Sequence, residues 1–409
     1  MELMMQFKNK YIVPILLLAL CFTACMEEPI EVEPQESFMK VFNHERYATG
    51  AYALGVTPLL DSGYFFVNRR PIANSKFGWG GNIMRTNSLG QILWEANIPD
   101  TYENVLEQPL ELSDGRTFVV GMHTTSLATV FLMADPASGQ TTEAATFAEF
   151  IYPLAATVTA DNHFLLQYYN HRNYTTGLAK IDSNFEIVWG QEYRLSEDVI
   201  TQNPIVSGHL NWGKRLPFFV EETADGNIVL NGLYNFSFAL LFIDGTNGQR
   251  INEILGGQRY DAGIMDAEVL EGGHMAATVF EIGKQSIVPS AIINDIGQAS
   301  DLVAMPYLGL DFRSESEVEA LEVDGQKVFV FAFTNYTGGI TVLVVDQETQ
   351  EILVEKQFGE GQAYELADMA ATADNGIIML ARTTMASKFQ TTALIKVSER
   401  ELTKEKEEE

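Results

Sequence analysis

Aromatic and basic side chains collect in the segments between predicted strands, and their types suit ligand binding. Flat rings stack on the rings of sugars or catechols, and guanidinium groups bind pairs of oxygen atoms through parallel hydrogen bonds. Any one of these rings could instead wedge between neighbouring sheets as part of the core. The candidate ligand-binding residues are Trp79, Arg172, Tyr174, Asn211, Trp212, Arg215, Arg259, Tyr260, Arg313 and Tyr336.

The segment 191–215 is the strongest of these candidates. It stretches one unit of an otherwise regular pattern and carries Asn211, Trp212 and Arg215. Long connections inside compact domains are uncommon and are mostly functional. We therefore expect this segment to contribute to a binding surface.

Catalytic and metal-binding spacings are missing from the sequence. The six histidines form no His-x-His or His-x-x-x-His pair, so a transition-metal site would need distant loops to converge. Asp182–Asn184 and Asp244–Gly248 are similar to calcium loops but lack the full ligand set. The acid pair Asp311 and Glu315 could serve a glycosidase, yet it has little specificity in a chain with 55 acidic residues. We expect no catalytic residue, no metal and no cofactor, and we rank a hydrolase or dehydrogenase as the weakest alternative.

The elements that must position the candidate residues repeat seven times along the chain. Each unit contains a tight polar turn followed by a short apolar strand, and the turn centres lie at residues 63, 115, 162, 226, 273, 325 and 376. Glycine and asparagine in such turns supply the positive φ that tight hairpins require. Each unit also has the turns for four short antiparallel strands.

A repeat of about fifty residues with four strands predicts an all-β fold, a single seven-bladed β-propeller over residues 38–398. The last unit supplies only three strands, so we expect Phe38–Phe42 to add the fourth and close the ring. A pair of β-sandwiches or an eight-bladed ring are the alternatives, although no linker composition divides residues 45–397. The charged tail 399–409 is expected to be disordered.

Charge is distributed unevenly. The chain has 26 basic and 55 acidic residues, and its net charge of −29 disfavours nucleic acid as a partner. The longer segments between strands hold 12 of the 24 basic residues that follow position 24, but only 13 of the 54 acidic ones. In a propeller these segments share one face, which predicts a nearly neutral face that accepts an anionic or hydrogen-bonding ligand. Alternatively, the Asp-rich turns of the opposite face reflect only good turn chemistry.

Residues 1–24 have the features of a cleaved signal peptide. Lys8 and Lys10 precede an apolar run of twelve residues. Such a run spans about 18 Å as a helix, well short of the ~30 Å hydrocarbon core.

The end of this run, Phe22–Cys25, resembles a bacterial lipobox. That resemblance implies cleavage before Cys25 and lipid attachment to it, which leaves no thiol in the mature chain. Residues 25–37 are rich in glutamate and proline and predict an acidic flexible tether. The tether is also similar to the signal with which certain Gram-negative bacteria send lipoproteins to the cell surface.

Two strand-and-turn sequences, Leu240–Asp244 with Gly248 and Met84–Trp94 with Gly90, resemble bacterial propeller lipoproteins of the quinoprotein-like or Asp-Gly-Gly repeat type. A shared fold does not specify a function. We expect a monomeric, surface-exposed outer-membrane lipoprotein, held in the membrane through Cys25. Its loop face would bind a small molecule, a glycan or an envelope protein, with an accessory role for an outer-membrane transporter as one form of this function. A non-catalytic scaffold in envelope assembly is the alternative.

Overall fold

Seven antiparallel sheets follow one another along the part of the chain that the structure describes, and together they form a ring of blades. The computed structural model describes residues 36–42, 52–73, 75–195, 199–212, 216–234, 237–256, 262–281, 284–303, 305–306, 315–359, 363–385 and 389–403. The predicted signal peptide, Cys25 and most of the predicted tether lie outside these residues.

The first three complete blades come from the first half of the chain, after an initial strand β1 (Phe38–Phe42). Blade 1 has β2 (Tyr52–Pro58), β3 (Tyr64–Pro71), β4 (Trp79–Thr86) and β5 (Ile92–Asn97). Blade 2 has β6 (Tyr102–Glu103), β7 (Leu110–Glu111), β8 (Thr117–His123), β9 (Ala128–Ala134) and β10 (Thr141–Ile151). Blade 3 has β11 (Pro153–Val158), β12 (Phe164–Asn170), β13 (Thr175–Ile181) and β14 (Ile187–Tyr193).

The second half of the chain supplies four more blades. Blade 4 has β15 (Val220–Glu222), β16 (Ile228–Tyr234), β17 (Ser237–Ile243) and β18 (Arg250–Leu255). Blade 5 has β19 (Ala262–Val269), β20 (His274–Glu281), β21 (Lys284–Ile292) and β22 (Met305–Pro306). Blade 6 has β23 (Ser316–Val323), β24 (Gln326–Thr334), β25 (Ile340–Asp346) and β26 (Ile352–Phe358). Blade 7 has β27 (Tyr364–Ala371), β28 (Ile377–Met385) and β29 (Phe389–Val397).

Strand β1 completes blade 7 from the other end of the chain. It pairs antiparallel with β29, with Phe38 opposite Lys396 and Phe42 opposite Thr392. The predicted seven-bladed β-propeller and its closure by the N-terminal strand are both confirmed. Pairing of β1 with β29 removes the sheet edge that three strands would leave open.

The apolar core lies between neighbouring blades rather than at the centre of the ring. Separate clusters of buried side chains join each adjacent pair of blades. One of them joins blade 7 to blade 1, where Phe42 and Ala367 pack with Phe66. Burial of this kind is the main stabilising term in folding, and its continuity through the last and first blades closes the ring.

The predicted turns sit between the first and second strands of each blade. Residues at these turns have positive φ as expected, including Gly115 (81°), Asn162 (65°) and Gly226 (74°). In blade 1 the positive φ of 64° falls on Ser62. Glycine at 63 has a different reason there, because the Cβ of any larger residue would meet the carbonyl oxygen of Thr86.

Tryptophans on outer strands connect neighbouring blades near these turns. Trp94 on β5 donates to the carbonyl oxygen of Pro136 and packs over Gly139 in blade 2. Trp189 on β14 donates to the carbonyl oxygen of Gly245 and packs over Gly248 in blade 4. Trp94 and Gly248, which belong to the two strand-and-turn sequences noted above, therefore each take part in a contact between blades.

Several segments that the sequence places outside strands are regular structure. Residues 141–149 lie within β10, a strand of 11 residues with two irregular positions, and residues 284–290 lie within β21. The segment 191–215 contains helix α1 (Val199–Trp212). Within the described residues, no helix combines the length and the apolar character that crossing a bilayer demands.

The start of the charged tail is ordered, contrary to expectation. Glu399–Leu402 forms a short helix, α2, whose Leu402 is only 1 % exposed and packs in the core between blades 6 and 7. Glu401 pairs with Lys356 at 3.2 Å, and Glu399 accepts a hydrogen bond from the backbone N–H of Asp324. One buried leucine is enough to dock this part of the tail. Residues 404–409 lie outside the described residues.

Candidate functional site

The two faces of the ring differ in their connections. Tight turns join the first strand to the second and the third to the fourth on one side, which we call the turn face. The second-to-third connections and the links between blades lie on the other side, which we call the loop face. Functional side chains concentrate on connections held by a rigid scaffold, and the loop face carries the longer ones.

Helix α1 packs on the loop face. Its Val206 and Leu210 are buried, 2 % and 3 % exposed, in an apolar cluster with Phe77, Leu154 and Phe218. These partners come from blades 1 and 3 and from the segment that leads into blade 4. The helix therefore bridges several blades.

Two of the predicted binding residues meet at the end of this helix. The indole N–H of Trp79 donates to the backbone carbonyl oxygen of Asn211 at 3.2 Å. The ring of Trp79 also contacts Tyr52 edge-to-face, at 5.5 Å between centroids. Trp212 belongs to the helix, and its side chain is not among those described.

Arg69 stacks beside Trp79. Its guanidinium carbon lies 5.0 Å from the ring centroid of Trp79 and 5.4 Å from that of Tyr52, within cation–π range. The pKa of Arg69 is lowered to about 10, mainly by burial and next by the nearby charge of Arg382, while Glu315 offsets part of this effect. The Nε of Arg69 has no hydrogen-bond partner among the described residues.

A second cation–aromatic cluster lies on the same face. The Lys76 ammonium donates to the Tyr152 hydroxyl at 2.9 Å and lies over the rings of Phe77 and Tyr152. His171 contacts Tyr152 edge-to-face at 5.4 Å. Burial lowers the pKa of His171, and the charges of Arg172 and Lys76 lower it further.

Arg172 and Tyr174 lie in the turn between β12 and β13 of blade 3. The Glu192 carboxylate holds this turn by accepting hydrogen bonds from Asn170 at 2.8 Å, Asn173 at 3.1 Å and Thr175 at 2.8 Å. Arg172 is exposed and Tyr174 is half-buried. Their turn is separate from the contact between Trp79 and Asn211.

Tyr336 stands at the edge of an open groove of about 330 Å³ on the loop face, between blades 6 and 7. This volume falls in the range of about 300–1,000 Å³ typical of small-molecule sites. Thr384 and Gln390, which face each other across β28 and β29, also line the groove. The ring of Tyr336 is 59 % exposed, the largest exposure among the aromatic side chains described.

A turn organised by one asparagine carries Tyr336. The side-chain oxygen of Asn335 accepts hydrogen bonds from the Thr337 and Gly339 N–H groups and from the Thr337 hydroxyl. The side-chain NH₂ group of Asn335 donates to the Thr341 hydroxyl. Asparagine favours such turns because its short side chain bonds to the nearby backbone. The exposed ring is thus presented on a rigid support.

The floor of the groove contains an ion-pair network around Arg382, which is 8 % exposed. Its Nη1 donates to Glu365 at 2.9 Å, its Nη2 donates to both oxygens of Glu315 at 3.1 and 3.2 Å, and its Nε donates to the carbonyl oxygen of Ala53. The network joins blade 7 to blade 1 and to the start of β23. Its positive charge is compensated by two carboxylates.

Acidic side chains line the centre of the ring, a feature that sequence reasoning missed. A cavity of about 100 Å³ is bounded by residues from all seven blades and has no basic side chain in its lining. Its acidic residues are Glu107, Glu221, Asp266, Glu317, Glu319 and Asp368. Asp266 and Asp368 accept backbone N–H bonds from the next blade, from Val318 at 2.8 Å and Val56 at 2.7 Å.

The mutual repulsion of these acids appears in their pKa values. Burial, reinforced by neighbouring carboxylates, raises the pKa of Glu221 and Glu319 well above the usual range. Burial and the charge of Asp266 raise the pKa of Glu268 to about 7. Among the described residues, no group of three or more His, Cys, Asp or Glu side chains has a geometry that could hold a metal ion.

Not every predicted residue can be placed. Arg215, Arg259, Tyr260 and Arg313 lie outside the described residues. Of the others, the structure brings Trp79 and Asn211 together and places Tyr336 at the groove. The residues missed from sequence, such as Tyr52, Arg69 and Arg382, lie within strands β2, β3 and β28, where the strand pattern gives no sign of a site.

Comparisons with known proteins agree with this description without extending it. No protein-family model and no curated protein matches the chain. The β-propeller domain of the trilobed protease from Pyrococcus furiosus, described as having an open velcro topology, aligns over 86 % of this chain and 96 % of that one, with 12 % identity and a TM-score of 0.49. A putative 6-phosphogluconolactonase from Bacteroides uniformis aligns over 82 % and 95 %, with 14 % identity and a TM-score of 0.48.

TolB from Acinetobacter baumannii also aligns, over 73 % of this chain and 64 % of that one, with 14 % identity and a TM-score of 0.41. At these low identities and TM-scores, the comparisons carry no argument about function. The assignment of the fold rests on the strand pairing and on the seven interblade clusters.

Proposed function

We propose that this protein is a ligand-binding propeller of the bacterial envelope that uses the groove between blades 6 and 7. The observation that carries the proposal is the groove itself, which combines a suitable volume, polar walls and the exposed ring of Tyr336. Well-formed concave sites with a few convergent polar groups are the usual places where small molecules bind. We propose binding because the described residues of the groove present an exposed ring beside hydroxyl and amide groups that can orient a ligand.

The proposal includes anchoring of the chain to the outer membrane through lipid on Cys25, with the propeller on the cell surface. Strand β1 starts at the turn face, where Ser37 bonds to Ser398, and runs toward the loop face. A tether upstream of Ser37 therefore joins the propeller at the turn face. The described chain thus enters the propeller on the face opposite the groove.

Thermal unfolding of the purified propeller tests the binding proposal. Candidate ligands comprise neutral oligosaccharides, acidic oligosaccharides, catechols and peptides, tested on the wild type and on two variants. Thr384→Trp fills the groove, and Leu60→Trp adds the same ring at a 70 % exposed position on the turn face. At least one class should raise the Tm of the wild type and of Leu60→Trp by about 2 °C or more at saturation, and leave Thr384→Trp unshifted.

If every stabilising ligand shifts the Tm of Thr384→Trp as much as that of the wild type, the groove is not the binding site. If no class stabilises any of the three proteins, the binding proposal fails, and the scaffold alternative takes its place.

Anchoring is tested separately in cells. Wild-type protein should incorporate a radioactive fatty acid and be digested when intact cells are treated with protease, whereas Cys25→Ser should not be labelled. Labelled protein that resists protease on intact cells would place the propeller inside the envelope and would favour a scaffold role in assembly.

A further inference from the structure

The polar groups of the groove identify its ligand more closely than its shape does. The described charged groups are paired there, because Glu365 and Arg382 both line it and bond to each other at 2.9 Å. Arg382 also donates to Glu315 and to the backbone carbonyl oxygen of Ala53. Among the described residues of the groove, an anionic ligand would therefore find no uncompensated cation, on a molecule that repels anions as a whole.

The remaining wall consists of neutral hydrogen-bonding side chains. Thr384 presents an exposed hydroxyl, and Gln390 lies directly opposite it across the strand pair. The side-chain carbonyl oxygen of Gln390 is buried and has no hydrogen-bond donor among the described residues. The Gln390 amide and the Thr384 hydroxyl can each both donate and accept hydrogen bonds, which matches the hydroxyl groups of a ligand.

The aromatic ring supplies the apolar part of the surface. Tyr336 is exposed, and its turn is held by the four hydrogen bonds of Asn335, so little conformational entropy is lost when a ligand covers the ring. A flat exposed ring beside amide and hydroxyl groups matches a molecule with one apolar face and a rim of hydroxyls. Pyranose sugars have this construction.

We infer that the groove binds a neutral carbohydrate, with the ring of Tyr336 stacked on one sugar and the Thr384 and Gln390 side chains bonded to its hydroxyls. The groove volume accommodates about one or two sugar rings. This inference rests on the proposed function, because it names the ligand class for the same groove. Of the anionic or hydrogen-bonding ligands expected from the sequence, it favours the hydrogen-bonding kind, since the only arginine described in the groove is already paired.

Isothermal titration with defined oligosaccharides tests the inference. The probes are neutral trisaccharides of glucose, galactose, mannose, xylose and N-acetylglucosamine in α and β linkages, with trigalacturonate as the acidic comparison. We expect at least one neutral trisaccharide to bind with a Kd below about 1 mM and trigalacturonate to bind at least tenfold more weakly.

Variants separate stacking from folding. Tyr336→Ala should weaken binding of that trisaccharide about tenfold or more, Tyr336→Phe should stay within about threefold, and Gln390→Leu should weaken it because the acceptor is lost. Leu60→Ala on the turn face is the matched control and should bind as the wild type does. Circular dichroism and Tm values confirm that each variant is folded.

Two results would overturn the inference. One is that no neutral trisaccharide in the panel binds below about 1 mM, and the other is that Tyr336→Ala binds as tightly as the wild type. If a peptide or catechol then stabilises the wild type but not Thr384→Trp, the groove is still the binding site and only the carbohydrate assignment fails.

Discussion

At the scale of single residues, an ion pair between a turn aspartate and a lysine of the third strand recurs in two blades. In blade 7 the turn residue Asp374 accepts a bond from Lys396 at 2.8 Å, and both side chains are buried. In blade 3 the equivalent Asp161 accepts a bond from Lys180 at 2.8 Å. Burial opposes ionisation of Asp161, but its bonds to Lys180 and Thr159 outweigh it and hold its pKa at about 2. These aspartates fix the third strand to the turn, besides shaping the turn.

The buried pair in blade 7 gives the sharpest stability prediction. Lys396→Met removes the only cation that bonds to Asp374 among the described hydrogen bonds and leaves a carboxylate buried in the core. Breaking a buried pair in this way costs about 3–5 kcal/mol. The free energy of unfolding, measured in urea, should fall accordingly.

A matched exposed pair provides the control. Arg116 and Asp114 also bond at 2.8 Å within a turn, but their side chains are 39 % and 50 % exposed. Arg116→Met should leave the free energy of unfolding nearly unchanged, since water solvates the remaining carboxylate. Equal losses in the two variants would mean that the pair in blade 7 is not buried as described.

The residue types in the sequence identified some residues of the candidate site and missed others. Tyr336 was identified from its loop position, and Trp79 and Asn211 do meet on the loop face. Arg382 escaped notice as a groove residue, because its role depends on Glu315 and Ala53, which are distant in sequence. Sequence spacing along one blade carries no information about such contacts between blades.

At the scale of elements, some glycines lie where neighbouring blades contact one another and others do not. Gly248 and Gly226 share a φ of 74°, yet a Cβ at 248 would lie 2.7 Å from the ring of Trp189, whereas a Cβ at 226 would meet nothing within 4 Å. The two positions therefore have the same backbone strain and differ in packing.

This pair of glycines isolates the energy of an interblade contact. Gly226→Ala should lower the free energy of unfolding by about 1 kcal/mol through backbone strain alone. Gly248→Ala should cost about 1–3 kcal/mol more, because the added methyl displaces Trp189. Urea unfolding of both variants gives the difference, and equal values would show that Trp189 moves aside freely.

The central position of the acidic side chains on the innermost strands could not be recognised from the sequence. Alternate acids such as Asp266 and Glu268, or Glu317 and Glu319, have the period of a strand with one solvated face. In the ring that face points to the central cavity, so the same pattern produces crowded carboxylates.

Helix α1 was missed for a different reason. It contains Pro204 and Gly208, which are poor helix formers, and packing of Val206 and Leu210 stabilises it.

The central acids predict an unusual pH dependence. Because the pKa of Glu268 is raised from 4.5 to about 7, the folded state binds more protons than the unfolded state between these values. The stability that Glu268 contributes in its protonated form is therefore fully present below about pH 4.5 and is lost as the pH rises through 7.

Glu268→Gln keeps the side chain neutral at every pH. The free energy of unfolding of Glu268→Gln minus that of the wild type should grow between pH 4.5 and 7 and become constant above pH 7. Glu322→Gln, at an exposed position on β23, controls for the loss of one negative charge. A difference that does not change with pH in Glu268→Gln would contradict the raised pKa.

At the scale of the whole molecule, the ring and its two faces follow from the repeat. Seven turn positions predicted seven blades, and the missing fourth strand predicted closure by Phe38–Phe42, because an unpaired edge is unfavourable. The sequence also predicted an acidic turn face and a more neutral loop face. It did not reveal that many acids line the central cavity, since the closure of the ring decides which strand face points inward.

The central claim is that ligands bind on the loop face, in the groove between blades 6 and 7. Hydrogen–deuterium exchange of the wild-type protein, with and without the trisaccharide that binds most tightly, tests it most directly. The account predicts slower exchange in the turn between β24 and β25 and at the adjoining ends of β28 and β29. Protection confined to the turn face, at residues 59–63 or 112–116, would contradict it.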